Sequence, residues 1–442
     1  MSGVNTEKII TAPASFLEEL KDALTDIFLS PGESSATLSA IDRIKIVLYI
    51  FIGLVIIGII AYFSIKIASK DPIPSQPNVS LAIAKRMNEM KGDAQRELLG
   101  QKSFYEGLLK TIPANQRYLI NCIPLTASLG GYIGNNVFYS NEYIQRALKA
   151  GIRSFILPVS TYLDDNKRPP NWPLSGKPAI VVRNREGKIT SINALTIAKF
   201  CQEILSFKAS NPTQSEEPYF IFLEEDIRYT PNHSKQEREY VVLMSEIAKE
   251  LEVLKQNRLL HLGQYGSATE GGAKSDKILL ETPLEDFRGK VVIFSNFDTK
   301  LQLKDAYANI TPRLHEYINI SVAPNRMELI SLGEGLGDDK KFEEKTRNVY
   351  YMASKRDTLE IPSAEDVRQG ITKGIQGIPL PFFAVPNAEL EKHYRLWEGY
   401  SMIFKPEAIR FTKPSPVVPA LPSASLNARV DGAKVPGEII IR

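Results

Sequence analysis

The longest uninterrupted run of apolar residues in this chain lies near its beginning. Residues 46–66 contain twenty consecutive uncharged positions, Ile46 to Ile65, with Lys45 and Lys66 at either end. A helix of twenty residues is about 30 Å long, which matches the hydrocarbon thickness of a bilayer. A buried core helix is the alternative, but core helices rarely lack a polar face over this length. The pattern therefore predicts one transmembrane helix, with the lipid bilayer as a partner.

The segments on either side of this run have a different character. Residues 1–45 are polar and charged except for an amphipathic stretch at 14–29, which predicts a short surface helix in an N-terminal arm. Residues 67–114 begin with three prolines between 71 and 77, which cannot continue a helix, and then follow a helical pattern at 79–112. We interpret 67–114 as a Pro-rich linker followed by a helical stalk.

From residue 115 to about 412, short apolar runs alternate with amphipathic segments. Amphipathic helices are predicted at 141–150, 193–207 and 234–256. Strands separated by helices are typical of a parallel sheet, and eight strands are the number that a closed (β/α)8 barrel needs. The sequence therefore predicts an α/β domain that resembles a TIM barrel. The eight predicted strands are Tyr118–Ile123, Arg153–Val159, Ala179–Val182, Tyr219–Leu223, Lys290–Phe294, Tyr317–Val322, Asn348–Met352 and Tyr400–Phe404.

The last part of the chain, residues 413–442, differs from this domain in composition. It is rich in Pro, Ala and Ser and has no apolar period. Such a segment does not bury enough apolar surface to form a core. We expect it to be an extended tail that binds neighbouring protein subunits, as does the N-terminal arm.

Composition excludes several classes of protein. A net charge of +3 over 442 residues is too small to indicate nucleic-acid binding. Cys122 and Cys201 are the only cysteines, which excludes a disulfide-stapled scaffold. Four histidines limit imidazole catalysis and His-ligated metals to a few positions, and none of the four has a metal-ligand partner at a suitable spacing. No cofactor is expected.

Two neighbouring stretches, Gly131–Asn136 and Glu142–Arg153, carry a family resemblance. They are similar to the TYLTGN-like loop, the EAYIRAL-like helix and the G-x-R turn that open the X region of phosphatidylinositol-specific phospholipase C. Later pieces resemble further strands of that family in the same order, so the resemblance covers about residues 115–412. It implies a TIM-barrel-like phosphodiesterase fold. The later pieces are Lys177–Val181, Pro218–Glu224, Leu284–Ile293 and Trp397–Phe404.

The chemistry of that family requires two imidazoles, because the 2-hydroxyl of the substrate attacks phosphorus and needs acid and base partners. At the position of the family's first histidine this chain has Leu129, and the third strand's H-G-H motif is replaced from Val182 onward. The acidic ligands of the family's second strand are replaced by the uncharged residues 156–158, Ile-Leu-Pro. Its phosphate-binding lysines are replaced by Phe294 and Asn296. The resemblance therefore implies a catalytically inactive relative.

The acid that ends the fourth strand is retained. Glu224 is followed by Glu225 and Asp226, and together these three carboxylates could hold a divalent cation such as calcium, the ion of the family's eukaryotic branch. The alternative is a strand end whose charges face water or pair with nearby arginines. We favour the second interpretation.

A basic group follows the third predicted strand. Arg183, Arg185 and Lys188 could bind an anionic lipid headgroup at the mouth of the barrel. Guanidinium groups suit phosphate because they donate two parallel hydrogen bonds. This cluster supports a second kind of function, a headgroup-binding module.

Together these features predict a single-pass membrane protein whose inactive barrel serves as a scaffold. Arms without a core are suited to binding along neighbouring subunits, where interface burial offsets their ordering cost. One assembly that needs such a protein is a virion in which a minor capsid protein links the shell to an internal membrane. The alternatives are an active, membrane-tethered phosphoinositide or glycerophosphodiester phosphodiesterase and the headgroup-binding module.

Overall fold

The computed structural model describes most of the predicted α/β domain, and all the described residues lie in one compact unit, Pro74–Arg442. The predicted arm (1–45), transmembrane helix (46–66) and tail beyond residue 413 lie outside them, so these assignments stay predictions. Within the described part of the chain, no helix has both the length and the apolar character needed to cross a bilayer. The described residues are 80–86, 102–134, 136–161, 177–182, 189–212, 214–225, 234–260, 279–332, 340–354, 361–382 and 388–413.

Thirteen strands lie in the described residues. They are β1 (Cys122–Pro124), β2 (Thr126–Ser128), β3 (Tyr132–Gly134), β4 (Val137–Phe138), β5 (Ser154–Ser160), β6 (Ala179–Ile180), β7 (Tyr219–Glu225), β8 (Val291–Ser295), β9 (Ile320–Ser321), β10 (Met327–Ser331), β11 (Tyr350–Ser354), β12 (Pro379–Leu380) and β13 (Met402–Phe404). Six of them form a parallel path in the order β12-β2-β5-β7-β8-β9. A second parallel pair, β10-β11, is linked to the β12 side by a parallel bridge between Met352 and Gly377.

Helices follow the strands as the amphipathic pattern predicts. The first three, which match the predicted segments to within a few residues, are α1 (Ser140–Lys149), α2 (Ile197–Ser210) and α3 (Ser234–Gln256). The others are α4 (Lys340–Thr346), α5 (Ala364–Thr372) and α6 (Ala388–Arg395). Thr196 and Ser363 cap α2 and α5, each accepting a backbone N–H three residues on. The α/β class predicted from the sequence is confirmed. In the predicted stalk, 80–86 is helical and a second helical stretch covers Phe104–Thr111.

The central strands bury side chains on both faces, which explains their continuous apolar sequences. Along β7, Phe220 and Phe222 join an inner core, whereas Ile221 and Leu223 pack in an outer core that includes the helices. The sheet is strongly curved, because the ring of Phe294 on β8 lies 4.9 Å from that of Tyr350 on β11, although these strands are not neighbours. The inner face is thus filled by side chains from opposite strands.

A buried ion pair joins the beginnings of β5 and β7. Arg153 is fully buried, and its Nε donates to Glu217 Oε2 at 2.8 Å. Its Nη1 donates to the carbonyl oxygens of Leu148 and Ile152, and its guanidinium lies over the Phe207 and Tyr219 rings. Glu217 Oε1 also accepts the N–H of Phe104 at 3.3 Å. The G-x-R turn noted in the sequence therefore supplies a structural arginine.

Three of the predicted strands were wrong in partner or direction, namely Tyr118–Ile123, Ala179–Val182 and Tyr400–Phe404. Leu119–Asn121 is a 3-10 turn, and the following β1 pairs antiparallel with β13 instead of joining the parallel path. Asn121 explains the arrangement, because its buried amide exchanges two 2.7 Å hydrogen bonds with the backbone of Phe411. β6 also pairs antiparallel, with the end of β5. An apolar run predicts burial, but it does not fix the direction of a strand.

Two parts of the chain that are far apart in sequence, at Lys102 and at Lys413, are bonded beside the β1-β13 pair. Lys102 donates its backbone N–H to Gly399 O at 2.9 Å, and Lys413 donates its own to Asn115 O at 3.0 Å. Between these points lie the β1-β13 pair and the stacked rings of Phe104 and Phe404, with centroids 5.6 Å apart. Lys102 and Lys413 are therefore both fastened beside the β1-β13 pair.

Candidate functional site

Parallel α/β sheets bind ligands where their strands end, so the carboxyl ends of β2, β5, β7 and β8 form the candidate site. The strand register brings these ends together. Ser128 lies beside Ile156, and Pro158 lies beside Glu224. The side chains just beyond these positions decide what chemistry this edge supports.

Leu129, at the position of the family's first histidine, is 1% exposed and has a left-handed backbone with φ of 59°. Its N–H donates to Ile156 O and its carbonyl oxygen accepts the N–H of Tyr132, both at 3.0 Å. The next residue, Gly130, is closely surrounded, because a Cβ there would lie 2.5 Å from a Phe200 ring carbon. This strand end is filled by apolar groups and holds no acid or base.

Val182, at the start of the replaced H-G-H motif, is fully buried. Its N–H donates to Ser191 Oγ at 3.3 Å, and its carbonyl oxygen accepts the N–H of Thr190 at 2.8 Å. Both contacts are structural. At the position where the resemblance predicts a second imidazole, this chain therefore has a side chain without a titratable proton.

Glu224 and Glu225 leave β7 on opposite faces, because successive side chains of a strand alternate. Glu224 continues the inner face of Phe222, whereas Glu225 continues the outer face of Leu223. The structure therefore does not bring the two carboxylates together. The remaining predicted site residues, Asp226, Arg183, Arg185 and Lys188, lie outside the described residues.

Glu225 belongs to a polar network on the outer face. Its N–H donates to Asn296 Oδ1 at 2.6 Å, and its carboxylate accepts the hydroxyl of Tyr240. The Tyr240 oxygen in turn accepts the N–H of Asp298 at 3.1 Å. Burial and, to a lesser degree, the Asp298 charge raise the pKa of Glu225 while the Tyr240 hydrogen bond lowers it, and together they bring the pKa to about 7. This network joins the end of β7 to α3 and to the turn after β8.

The described carboxylates do not form a calcium site, although calcium is the ion used by part of the resembling family. A calcium ion takes six to eight oxygen ligands. Among the residues that the structure describes, no three His, Cys, Asp or Glu side chains are grouped to hold a metal. On the inner face the β5 neighbour of Glu224 is Pro158, which offers no side-chain ligand. We therefore assign no chemical step to a metal ion.

Of the four histidines, His315 and His393 lie in the described residues, and both are buried away from the strand ends named above. The Nε2 of His393 donates to Pro362 O at 2.8 Å, since a carbonyl only accepts. Burial lowers the pKa of His315, which keeps the neutral imidazole favoured.

Replacing Glu225 with glutamine tests the polar network. Because the folded pKa is about 7 and the ordinary value is 4.5, the folded chain binds the proton more tightly. The parent should therefore lose stability as pH rises from about 4.5 to 7. Glu225→Gln should remove this loss. Its stability relative to that of the parent should therefore be about 1–2 kcal/mol greater at pH 8 than at pH 4.5. The difference is smaller than the full pKa shift would give, because the group keeps part of its contact with water.

Denaturant unfolding at both pH values measures this difference. The exposed Glu344→Gln is the matched control, and it should shift stability equally at pH 4.5 and pH 8. A Glu225→Gln chain whose stability runs parallel to that of the parent at both pH values would contradict the description of this carboxyl.

Comparison with known proteins gives a partial structural likeness. No family model matches the chain, and no curated protein matches it. Among solved structures, PLC21 of L. pealei is similar, with a TM-score of 0.45 and 14% identity. The match covers 67% of this chain but only 38% of PLC21. The phosphatidylinositol-specific phospholipase C of Listeria monocytogenes has a TM-score of 0.32 and 12% identity over 65% of this chain and 96% of its own. The calcium-dependent phosphoinositol-specific phospholipase C of a Pseudomonas species has a TM-score of 0.36 and 12% identity, covering 66% and 96%. The chain thus resembles phospholipases C of this kind over about two thirds of its length.

Proposed function

We propose that residues 115–412 form a phospholipase-C-like barrel without catalytic activity, which serves as the scaffold of a membrane-anchored protein. One observation carries this proposal. At the end of the first parallel strand, Leu129 and Gly130 fill the position where this chemistry needs an imidazole, packed against Phe200 and Leu157.

The chemistry supports the same conclusion. Attack by a substrate hydroxyl on phosphorus requires a group that accepts its proton and another that protonates the leaving oxygen. Leu129 and Val182 offer neither, and their burial leaves no room for a substrate atom at these positions. Glu225 has a pKa near neutrality, but its carboxylate is held by Tyr240 on the outer face of the sheet. One carboxylate on the inner face, Glu224, cannot supply both roles.

The strand arrangement supports the barrel. The six-stranded parallel path and the β10-β11 pair together supply eight parallel strands, the number of a (β/α)8 barrel. The bridge from Met352 to Gly377 joins the two sets on one side. Among the described residues, β9 and β10 are not paired with each other, which leaves one seam in the proposed ring.

The segments around the barrel support a role in an assembly. The apolar run at 46–66 has the length and the flanking lysines of a membrane anchor. The arm at 1–45 and the tail at 413–442 have the composition of segments that order on a partner. We propose that the protein links a bilayer to neighbouring protein subunits, as a minor capsid protein does in a virion with an internal membrane.

A hydrolysis assay tests the absence of activity. The full chain, reconstituted with phosphatidylinositol vesicles, should release no inositol phosphate above the rate of vesicles alone, with or without calcium. Turnover that Glu224→Gln abolishes and Glu344→Gln leaves intact would overturn the proposal. That result would favour the membrane-tethered phosphodiesterase instead.

A further inference from the structure

The outer edge of β10, meaning the backbone edge of Met327–Ser331 that faces away from β11, has open hydrogen-bonding groups. Tyr350 donates its N–H to Arg326 O at 2.7 Å, which directs the even-numbered residues of β10 toward β11. The backbone N–H and C=O groups of the odd-numbered residues therefore point away from β11. Met327 exchanges both of its outward hydrogen bonds with Ala323. Further along this outer edge, at Leu329 and Ser331, no strand of the described ranges pairs with β10.

This edge also has an exposed apolar side chain. Leu329 is 37% exposed, whereas most large apolar residues of the described domain are buried. An open strand edge beside an exposed leucine is a site at which another strand adds readily. The edge therefore fits an extended, apolar segment with a backbone free to pair.

The sequence beyond Lys413 contains one segment of this kind. Residues 438–442 read Glu-Ile-Ile-Ile-Arg, three consecutive β-branched residues between two charges, directly after Pro436 and Gly437. This is a strong strand pattern in a stretch that is otherwise rich in Pro, Ala and Ser. Its five residues equal the length of β10.

The chain leaves the described structure at Lys413, whose N–H donates to Asn115 O at 3.0 Å beside β1. From Lys413, the 24 residues 414–437 reach as far as about 80 Å when extended. A domain of about 300 residues has a radius of gyration of roughly 19 Å. The segment can therefore reach β10 of its own chain.

We propose that Glu438–Arg442 adds to the outer edge of β10 of the same chain as an extra strand. Its backbone pairs with the N–H and C=O groups of Leu329 and Ser331, and the side chain of Ile440, at the centre of the added strand, covers the Leu329 side chain. The pairing closes the seam of the sheet beside β9. It depends only on backbone pairing and so is independent of whether the domain has catalytic activity.

Disulfide trapping in the full chain tests the contact. Leu329→Cys combined with Ile440→Cys should form a disulfide under mild oxidation, within one chain, in at least fivefold higher yield than a control pair. The control is Leu303→Cys with Ile440→Cys, because Leu303 is 38% exposed but lies in a 3-10 turn away from β10. Equal yields from the two pairs, or a product that links two chains, would overturn the proposal.

Hydrogen exchange provides a measurement that does not depend on introduced cysteines. The amides of Leu329 and Ser331 should exchange at least tenfold more slowly in the parent than in Ile440→Pro, because proline cannot donate to a ladder. Ala428→Pro, in the same tail but outside the five residues, should leave the parent rates unchanged. Exchange at Leu329 that is equally fast in the parent and in Ile440→Pro would refute the pairing.

Discussion

Replacement of Glu217 by leucine is expected to destabilise the domain by about 3–5 kcal/mol, because it leaves the Arg153 guanidinium buried without its counter-charge. Arg153 is fully buried, and the side chain of Glu217 is only 8% exposed. The loss also frees the N–H of Phe104, which Glu217 accepts. Denaturant unfolding of the full chain at pH 7, followed by tryptophan fluorescence, measures the change.

The neighbouring residue provides the control. Glu216 pairs with Arg288 at 2.7 Å, but their side chains are 56% and 44% exposed. Glu216→Leu should therefore change stability by less than about 1 kcal/mol. Combining Arg153→Met with Glu217→Leu should recover much of the loss, since both charges are then absent. Equal effects of Glu216→Leu and Glu217→Leu would show that burial does not determine the strength of the Arg153 pair.

Leu129→His is expected to destabilise the domain by about 3–4 kcal/mol and to restore no hydrolysis. The substitution removes a buried leucine and places a polar ring at a strand end where Phe200 and Leu157 already crowd the next residue, Gly130. Leu303→His, at a site that is 38% exposed, should cost no more than about 0.5 kcal/mol. Unfolding and vesicle hydrolysis measured on the same samples report both effects.

The result for Leu129→His also bears on the inactive state of the barrel. A variant as stable as the parent would mean that this strand end has room for an imidazole. A variant that hydrolyses phosphatidylinositol would mean that only one residue separates the chain from activity. Either result would contradict the proposal that this strand end is closed.

The elements that the sequence predicted well are those with a strong period or a long apolar run. α3 was predicted at 234–256 and observed there, and β5, β7 and β8 coincide with apolar runs of five to seven residues. Of the strands that the sequence missed, β2 and β12 have only three and two residues and contain Thr, Ser and Pro. Their position in the sheet comes from neighbours on both sides, and no local pattern reveals it.

The candidate site was predictable only where it followed a motif. The family resemblance located Leu129 and Val182, and the structure adds that both are buried. The network of Glu225 was not predicted, because Asn296 lies 71 residues further along the chain and meets Glu225 only through the pairing of β7 with β8. The run Glu224–Asp226 looked like one cluster, but strand alternation separates its first two side chains.

Tension on this domain is expected to act at two separate places. A pull through residues before 80 acts first on the helix at 80–86, where Arg86 Nε donates to Ile133 O at 2.7 Å and Ala82 and Ile83 pack against the core. A pull through residues after 413 acts first on the bond from Lys413 to Asn115 and on the Asn121–Phe411 bonds, beside the β1-β13 pair. If the proposed anchor and tail hold the protein between a bilayer and neighbouring subunits, these two sets of contacts are the first to carry the load.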